Sequence, residues 1–219
     1  MLSFSFPTDR PLKVLCLGAH SDDIEIGCGG TLLALAETYP NLQITWVVFT
    51  AQGARKQEAL DSANDFLVKV TEKEIILESF RDGFLPYNGA EVKDFFERLK
   101  KQVSPDVIFT HYRHDLHQDH RQLCELAWNT WRNHLILEYE IPKYDGDLGV
   151  PNFFFPLRAD VARQKTDLLL KHFGTQRSKD WFTDDTFLGL MRLRGMECKA
   201  KEKYAEAFYS RKMVVDLTS

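Results

Sequence analysis

No cysteine pair in this chain is spaced for a metal knuckle or a disulfide staple. The four cysteines, at 16, 28, 124 and 198, are scattered, and C-x-x-C does not occur. That argues against a zinc ribbon or finger and for a reducing compartment without disulfides. No apolar run approaches the ~18–20 residues that a membrane span requires. Basic charge is not in excess either: 28 Lys and Arg stand against 32 Asp and Glu, a formal net charge of −4. Binding along a nucleic-acid backbone, which needs a strongly basic surface, is therefore not expected. The first residues lack a basic stretch followed by an apolar core, so the expectation is no secretory leader and a cytoplasmic protein. Nucleotide loops are missing too. Gly27, Gly29 and Gly30 suggest one, but G-x-G-x-x-G would need glycine at 32, where Leu32 stands, and no G-K-[ST] occurs. The glycines are read instead as a turn ahead of the next helix that allows tight packing and close backbone approach.

What is present is an alternation of apolar runs and helical stripes. Residues 12–19, 42–50, 74–77 and 106–111 read as strands. Three of them are almost continuously apolar, as parallel strands covered on both faces are. Helices are expected over 31–39, 56–70 and 92–103, the second marked by Ala59, Ala63, Phe66, Leu67 and Val70 on one face. Beyond about residue 133 the pattern changes to a Pro-, Gly- and Asp-rich loop over 139–151. A short strand is expected at 153–155. A helix over 160–173 is expected to start at Asp160 as N-cap and to end near Gly174. Further helices are expected over 183–194 and 199–208. The 219 residues are enough for one large domain, and the C-terminal third, about 134–219, reads as an extension of it. The fold class is α/β: a three-layer α/β/α arrangement with a mainly parallel sheet.

The chemistry sits at strand ends. His20-Ser-Asp-Asp23 follows the first run, and His111-Tyr-Arg-His-Asp-Leu-His-Gln-Asp-His120 follows the fourth. In parallel sheets ligands bind beyond the carboxyl ends of the strands, so the two clusters can meet there. Adjacent acids beside an imidazole are costly to bury without a cation between them. Three His, Asp or Glu ligands and an open position make a hydrolytic metal site, in which bound water ionises near neutral pH. One acid of the pair can ligate while the other stays free as general base. His111 reads as a strand-end residue. His114 and Asp115 read equally as pocket wall or exposed loop. Asp145 and Asp147, on the long loop, suit sugar hydroxyls. Arg192 and Arg194 suit either an anionic substrate group or a solvated helix face.

The stretch Ala19-His-Ser-Asp-Asp-Ile-Glu-Ile-Gly-Cys-Gly-Gly30 resembles the A-H-P-D-D-x-x-x-G-x-G-G signature of the LmbE-like, or PIG-L, deacetylases, and His117-Gln-Asp-His120 resembles their H-x-D-H motif. Arg55-Lys-Gln-Glu-Ala59, Phe80-Arg-Asp-Gly-Phe-Leu85 and segments after Thr175 extend the likeness over nearly the whole chain. The resemblance implies a Rossmann-like fold and metal-dependent removal of an acetyl group from an N-acetylated amino sugar, an N-acetylglucosamine-type conjugate. It implies Zn2+, or another divalent ion such as Fe2+, held by His20, Asp23 and His120. Asp22 would be the general base, His117 the group that stabilises the oxyanion, and Asp119 its orienting partner or a support for His120. Arg55, with Asp145, Asp147 and Arg192, would contact substrate. Position 21 departs from the pattern: Ser21 replaces a proline that would stiffen the turn, and its hydroxyl can bond nearby backbone instead. The alternatives kept open are another metal-dependent amidase or phosphoesterase, and a non-catalytic sugar- or metal-binding protein. The partner implied is a small N-acetyl sugar conjugate, with no nucleic acid and no membrane span. A homo-oligomer is left open.

Overall fold

The computed structural model describes residues 2–215. Seven strands form one sheet in the order β3-β2-β1-β4-β5-β7-β6. The strands are β1 (Leu12–Gly18), β2 (Leu42–Val48), β3 (Glu72–Leu77), β4 (Val107–His111), β5 (Leu135–Tyr139), β6 (Phe153–Leu157) and β7 (Tyr204–Ser210). The first five are parallel, with β1 flanked by β2 and β4. The last two join antiparallel at one edge, so the C-terminal third extends the same sheet.

Period-two alternation along β1 divides the core. Leu12, Val14 and Cys16 face one side, where α1 (Asp23–Thr38), α2 (Ala54–Phe66) and α5 (Ala159–His172) pack. Leu15, Leu17 and Ala19 face the other, against α3 (Gly89–Gln102) and α4 (Gln118–Thr130). Both faces are covered, which is why β1, β2 and β4 are largely apolar, with Thr45 the polar exception at the centre of β2. A sixth helix, α6 (Asp184–Glu197), packs on β7. Among the described residues no helix is long and apolar enough to cross a membrane.

Four expectations need correction. The glycines at 27, 29 and 30 are not a turn; they lie inside α1, which begins at Asp23. Close packing overrides their poor helix propensity. A Cβ on Gly27 would sit 2.2 Å from the Tyr139 ring, on Gly29 2.6 Å from Phe66, and on Gly30 2.7 Å from Leu157. Residues 204–210 form β7 rather than helix. Lys199 and Lys203 take left-handed backbone angles, φ 55° and 71°, which end α6 and turn the chain back. The N-cap of α5 is Arg158, and Asp160 sits in the first turn, where its Oδ1 accepts from the Val161 N–H at 2.9 Å. Residues 118–130, which the sequence left without an element, are helix α4.

Candidate active site

The chain leaves β1 toward β2 and β3, and leaves β4 toward β5 on the other side, so the crevice at their carboxyl ends is the switch point of the sheet. His20 and Ser21 make the turn out of β1. Asp22 is the N-cap residue of α1 and makes no side-chain capping bond, while Asp23 is the helix's first residue. From β4, His111 ends the strand, His117 is the N-cap of α4, and Asp119 and His120 lie in its first turn. An open cleft of about 220 Å³ lies above them, lined by His20, Asp22, Asp23, Arg55, His117 and His120. Its far wall comes from Lys143, Tyr144 and Asp145 of the long loop and from Gln176, Lys179 and Trp181.

Three side chains form a small triangle. His20 Nδ1 lies 3.1 Å from His120 Nε2 and 3.2 Å from Asp23 Oδ2, and it is the other Asp23 oxygen, Oδ1, that lies 3.5 Å from His120 Nε2. A tetrahedral ion with bonds of about 2.0–2.1 Å holds its ligand atoms about 3.3–3.4 Å apart. Among the described residues the groups that bring one donor atom each close together are His20, His117 and His120; Asp23, His111 and His120; and His20, Asp82 and Asp119, so His20, Asp23 and His120 recur across them without forming one of the sets. The charge balance fits a cation. Asp22, Asp23, Asp119 and the exposed Asp82 gather around the His20 ring, with one guanidinium, Arg55, committed to Asp22 at 2.5 Å. His20 Nε2 lies 3.1 Å from Asp82 and 3.4 Å from Asp119, yet makes no aligned hydrogen bond.

The second ring nitrogen of each histidine decides what the first can do. His120 Nδ1 bonds the Asp115 carboxylate at 2.9 Å, which leaves the Nε2 lone pair facing the triangle. Burial, with His111 alongside, pushes His120 down to about 3, so its ring is neutral at neutral pH. His111 is close by, stacked on His120 at 3.8 Å; its Nε2 accepts the Ala19 N–H at 3.0 Å, and its Nδ1 has no partner. It is the strand-end residue the sequence suggested. His117 Nδ1 accepts the Asp119 backbone N–H at 3.2 Å, so in the neutral ring Nε2 is the donor. Burial and the neighbouring His20 lower His117, which favours that neutral form.

The adjacent carboxylates are driven apart. Burial works against the Asp23 charge, but the imidazoles of His120, His20 and His111 outweigh it and hold Asp23 well below the usual range. Asp22 goes up: burial raises it, Arg55 opposes, and the Asp23 charge adds to the rise. For His20 burial favours the neutral ring, yet Asp23, Asp119 and Asp82 together lift it well above an ordinary imidazole.

The neighbouring segments brace this arrangement. Arg55 orients Asp22, and Glu58 three residues later accepts from the Thr175 N–H at 2.9 Å, anchoring the turn that presents Gln176 to the cleft. Asp119 meets His117 through its backbone N–H, and its carboxylate contacts neither His117 nor His120. Its carboxylate accepts the N–H groups of Gly83 at 2.8 Å and Leu85 at 3.1 Å, fixing the loop that carries Asp82 to His20. The helical start of α4 puts Asp119 on a different side from the His117 ring. The support for His120 is Asp115, buried, while His114 is exposed.

Among the outlying candidates only Asp145 reaches the cleft. Asp147 is turned inward to the Leu116 N–H at 2.7 Å and to Lys143 at 2.5 Å. Arg192 points to the Lys203 carbonyl at 3.3 Å on the outside of α6, away from the cleft. Arg194 is the buried one and is consumed by Glu140 and Glu197. Ser21 is buried with its hydroxyl unpartnered, so the backbone bond suggested for it is not made. The sequence missed Asp82, Gln176, Lys179 and Trp181. All four lay within segments already recognised as similar to the family, Asp82 in residues 80–85 and the other three in residues 175–182, but none was singled out for the site.

Comparison with known proteins agrees with this geometry. The uncharacterized deacetylase YaiS of Escherichia coli K12 is 29% identical over 170 residues, covering 73% of this chain and 89% of its own. The N,N'-diacetylchitobiose deacetylase of Pyrococcus horikoshii superposes with a TM-score of 0.70 at 22% identity, over 94% of this chain and 87% of its own. GalB, the 4-carboxy-2-hydroxymuconate hydratase of Pseudomonas putida KT2440, superposes with a TM-score of 0.72 at 16% identity, over 95% of this chain and 100% of its own. These structures share the fold, and the fold by itself serves more than one reaction. The sequence model of the PIG-L family, GlcNAc-PI de-N-acetylase, matches residues 15–131, a span that holds the His20–Asp23 turn, Arg55 and the His117–His120 helix start. The chain belongs to the PIG-L family.

Proposed function

We propose that this protein is a metal-dependent N-deacetylase that removes the acetyl group from an N-acetylated amino sugar conjugate. The observation that carries the reading is the division between Asp22 and Asp23: neighbours in sequence, one facing the imidazoles of His20 and His120, the other turned to the Arg55 guanidinium beside the cleft. Pairs of acids with diverging pKa values mark a division between ligand and proton carrier. His20, Asp23 and His120 would hold one divalent ion, zinc by preference of an N/O donor set, with ferrous iron also accepted. When bound, that ion supplies Lewis acidity to the amide carbonyl and to a water.

The chain's own groups do the rest. Asp22, kept in place by Arg55, takes a proton from the attacking water and passes it to the amide nitrogen. His117 donates from Nε2 to the carbonyl oxygen as that oxygen gains charge, and one such donor is worth about 3–4 kcal/mol. A carbon–oxygen bond forms, the carbon–nitrogen bond breaks, and acetate and a free amine leave. Asp145, Gln176 and Lys179 offer polar groups to the sugar and its conjugate, and Trp181 offers an apolar face. A two-metal phosphoesterase is less well served. His111 Nε2 is engaged by backbone, His114 is exposed, and Asp115 lies behind His120, so a second full ligand set is not assembled beside the first. The test is acetate release from a panel of N-acetylglucosamine conjugates by zinc- or iron-loaded protein. Release with one metal per chain is the expected result; absence of release across the panel by metal-loaded protein contradicts it.

A further inference from the structure

Lys143 differs from the other cations around the cleft. Its ammonium has three acceptors: Asp147 Oδ2 at 2.5 Å, Asp115 Oδ2 at 3.0 Å and the Ile141 carbonyl at 3.5 Å. Three protons and three acceptors leave nothing for substrate. Yet Lys143 sits on the loop that walls the cleft, beside Tyr144 and Asp145. Its partner atom, Asp115 Oδ2, is the same oxygen that bonds His120 Nδ1 at 2.9 Å. Asp147 locks the arrangement by accepting the Leu116 N–H at 2.7 Å, between Asp115 and His117 in the chain. One carboxylate oxygen is thus shared between the loop and a residue of the donor triangle.

We propose that Lys143 is a positioning residue that sets how strongly Asp115 acts on the His120 ring, and thereby tunes the grip of the His20–Asp23–His120 site on its cation. This rests on the reading of His120 as a ligand. A carboxylate that accepts the N–H of a ligand imidazole raises the basicity of the opposite nitrogen. An ammonium on the same oxygen opposes that effect, because its charge lies only one contact away in a poorly solvated place. With Lys143 present, His120 is the weaker donor and the cation keeps more of its charge for substrate. Without it, Asp115 acts on His120 alone, the cation is held more tightly, and less charge is left for chemistry. A lysine that merely packed the loop would do the opposite, since its loss would loosen Asp115 and weaken binding.

The experiment is zinc titration of the stripped full-length protein against a chromophoric chelator, with steady-state acetate release in parallel. Lys143→Met should bind zinc about tenfold more tightly, the low end of what partners behind a ligand contribute, and should lose kcat while KM holds. Lys143→Arg should keep wild-type affinity. Asp115→Asn should weaken binding, and adding Lys143→Met to it should change nothing further, because the effect runs through that carboxylate. Thermal melts of the metal-free variants verify folding, and Lys143→Gln replaces Lys143→Met if the latter does not fold. Unchanged or weaker zinc binding in folded Lys143→Met, or in the Lys143→Gln that replaces it, or an equal effect in the Asp115→Asn background, overturns the proposal alone. A wild type that binds no zinc overturns the ligand assignment and this inference with it.

Discussion

Helix α1 meets two buried groups of charges, one midway along it and one at its start. Midway, Lys165 and Glu206 pair at 2.6 Å. Lys165 also donates to the Ile26 carbonyl at 2.6 Å, and Glu206 accepts the N–H groups of Gly30 at 2.8 Å and Thr31 at 2.6 Å. Both charges are answered within the protein. At the start of the helix, Asp22, Asp23, Asp119 and the exposed Asp82 surround His20, with Arg55 and the His20 ring itself the positive groups against them, and a buried ring nitrogen has no aligned partner. Burial is almost the same at both ends, with Asp22, Asp23, Lys165 and Glu206 all buried. The difference is balance. A buried cluster that closes on itself is part of the framework, and one that stays short of positive charge has a place for a cation.

That contrast can be broken from either end. The largest effect is expected for Asp22→Asn, which should keep its metal and lose turnover by about 10²–10⁴-fold, the range for removal of a general base. Acetate release and metal analysis on the same sample check it; loss of metal instead would make Asp22 a ligand. Next comes Lys165→Met. It leaves Glu206 buried without its counter-charge and should cost about 3–5 kcal/mol of stability. Denaturant melts should register that loss, while metal content per folded chain stays at the wild-type level. If metal is lost as well, the two clusters are not separable. Gly27→Ala should follow at about 1–3 kcal/mol, as overpacking does. Its new methyl would strike the Tyr139 ring, which is held by a 2.6 Å bond from its hydroxyl to the Leu17 carbonyl. The smallest effect has the opposite sign. Ser21→Ala removes a buried hydroxyl without a partner and should raise stability by about 1 kcal/mol, seen as a higher melting temperature with activity unchanged.

The parts of this account that were legible in the sequence are those governed by local rules. The central strands announce themselves because burial on both faces demands unbroken apolar runs, and the strand ends carry residues whose types speak for a cation. His20, Asp22, Asp23, His117 and His120 are all brought to one crevice. What escaped depends on contacts between distant segments. The glycines of α1 look like a turn until Tyr139, Phe66 and Leu157 are set against them. The stretch 199–208 is rich in Lys, Glu and Ala and favours helix by propensity, but two left-handed lysines redirect it into the sheet edge. Asp147 and Arg192 were assigned to substrate by residue type, whereas the loop fold turns Asp147 inward and α6 presents Arg192 away from the cleft. Asp115 was legible only as one of several polar residues in its loop. Its importance comes from lying behind His120, which spacing alone does not specify.

The central claim is that the unbalanced cluster holds one divalent ion between His20, Asp23 and His120. Elemental analysis of zinc-equilibrated, gel-filtered wild type and His120→Ala tests it most directly. The expected result is one zinc per wild-type chain and a large loss of bound zinc in the folded variant. Wild type without zinc, or His120→Ala with undiminished zinc, would contradict the account.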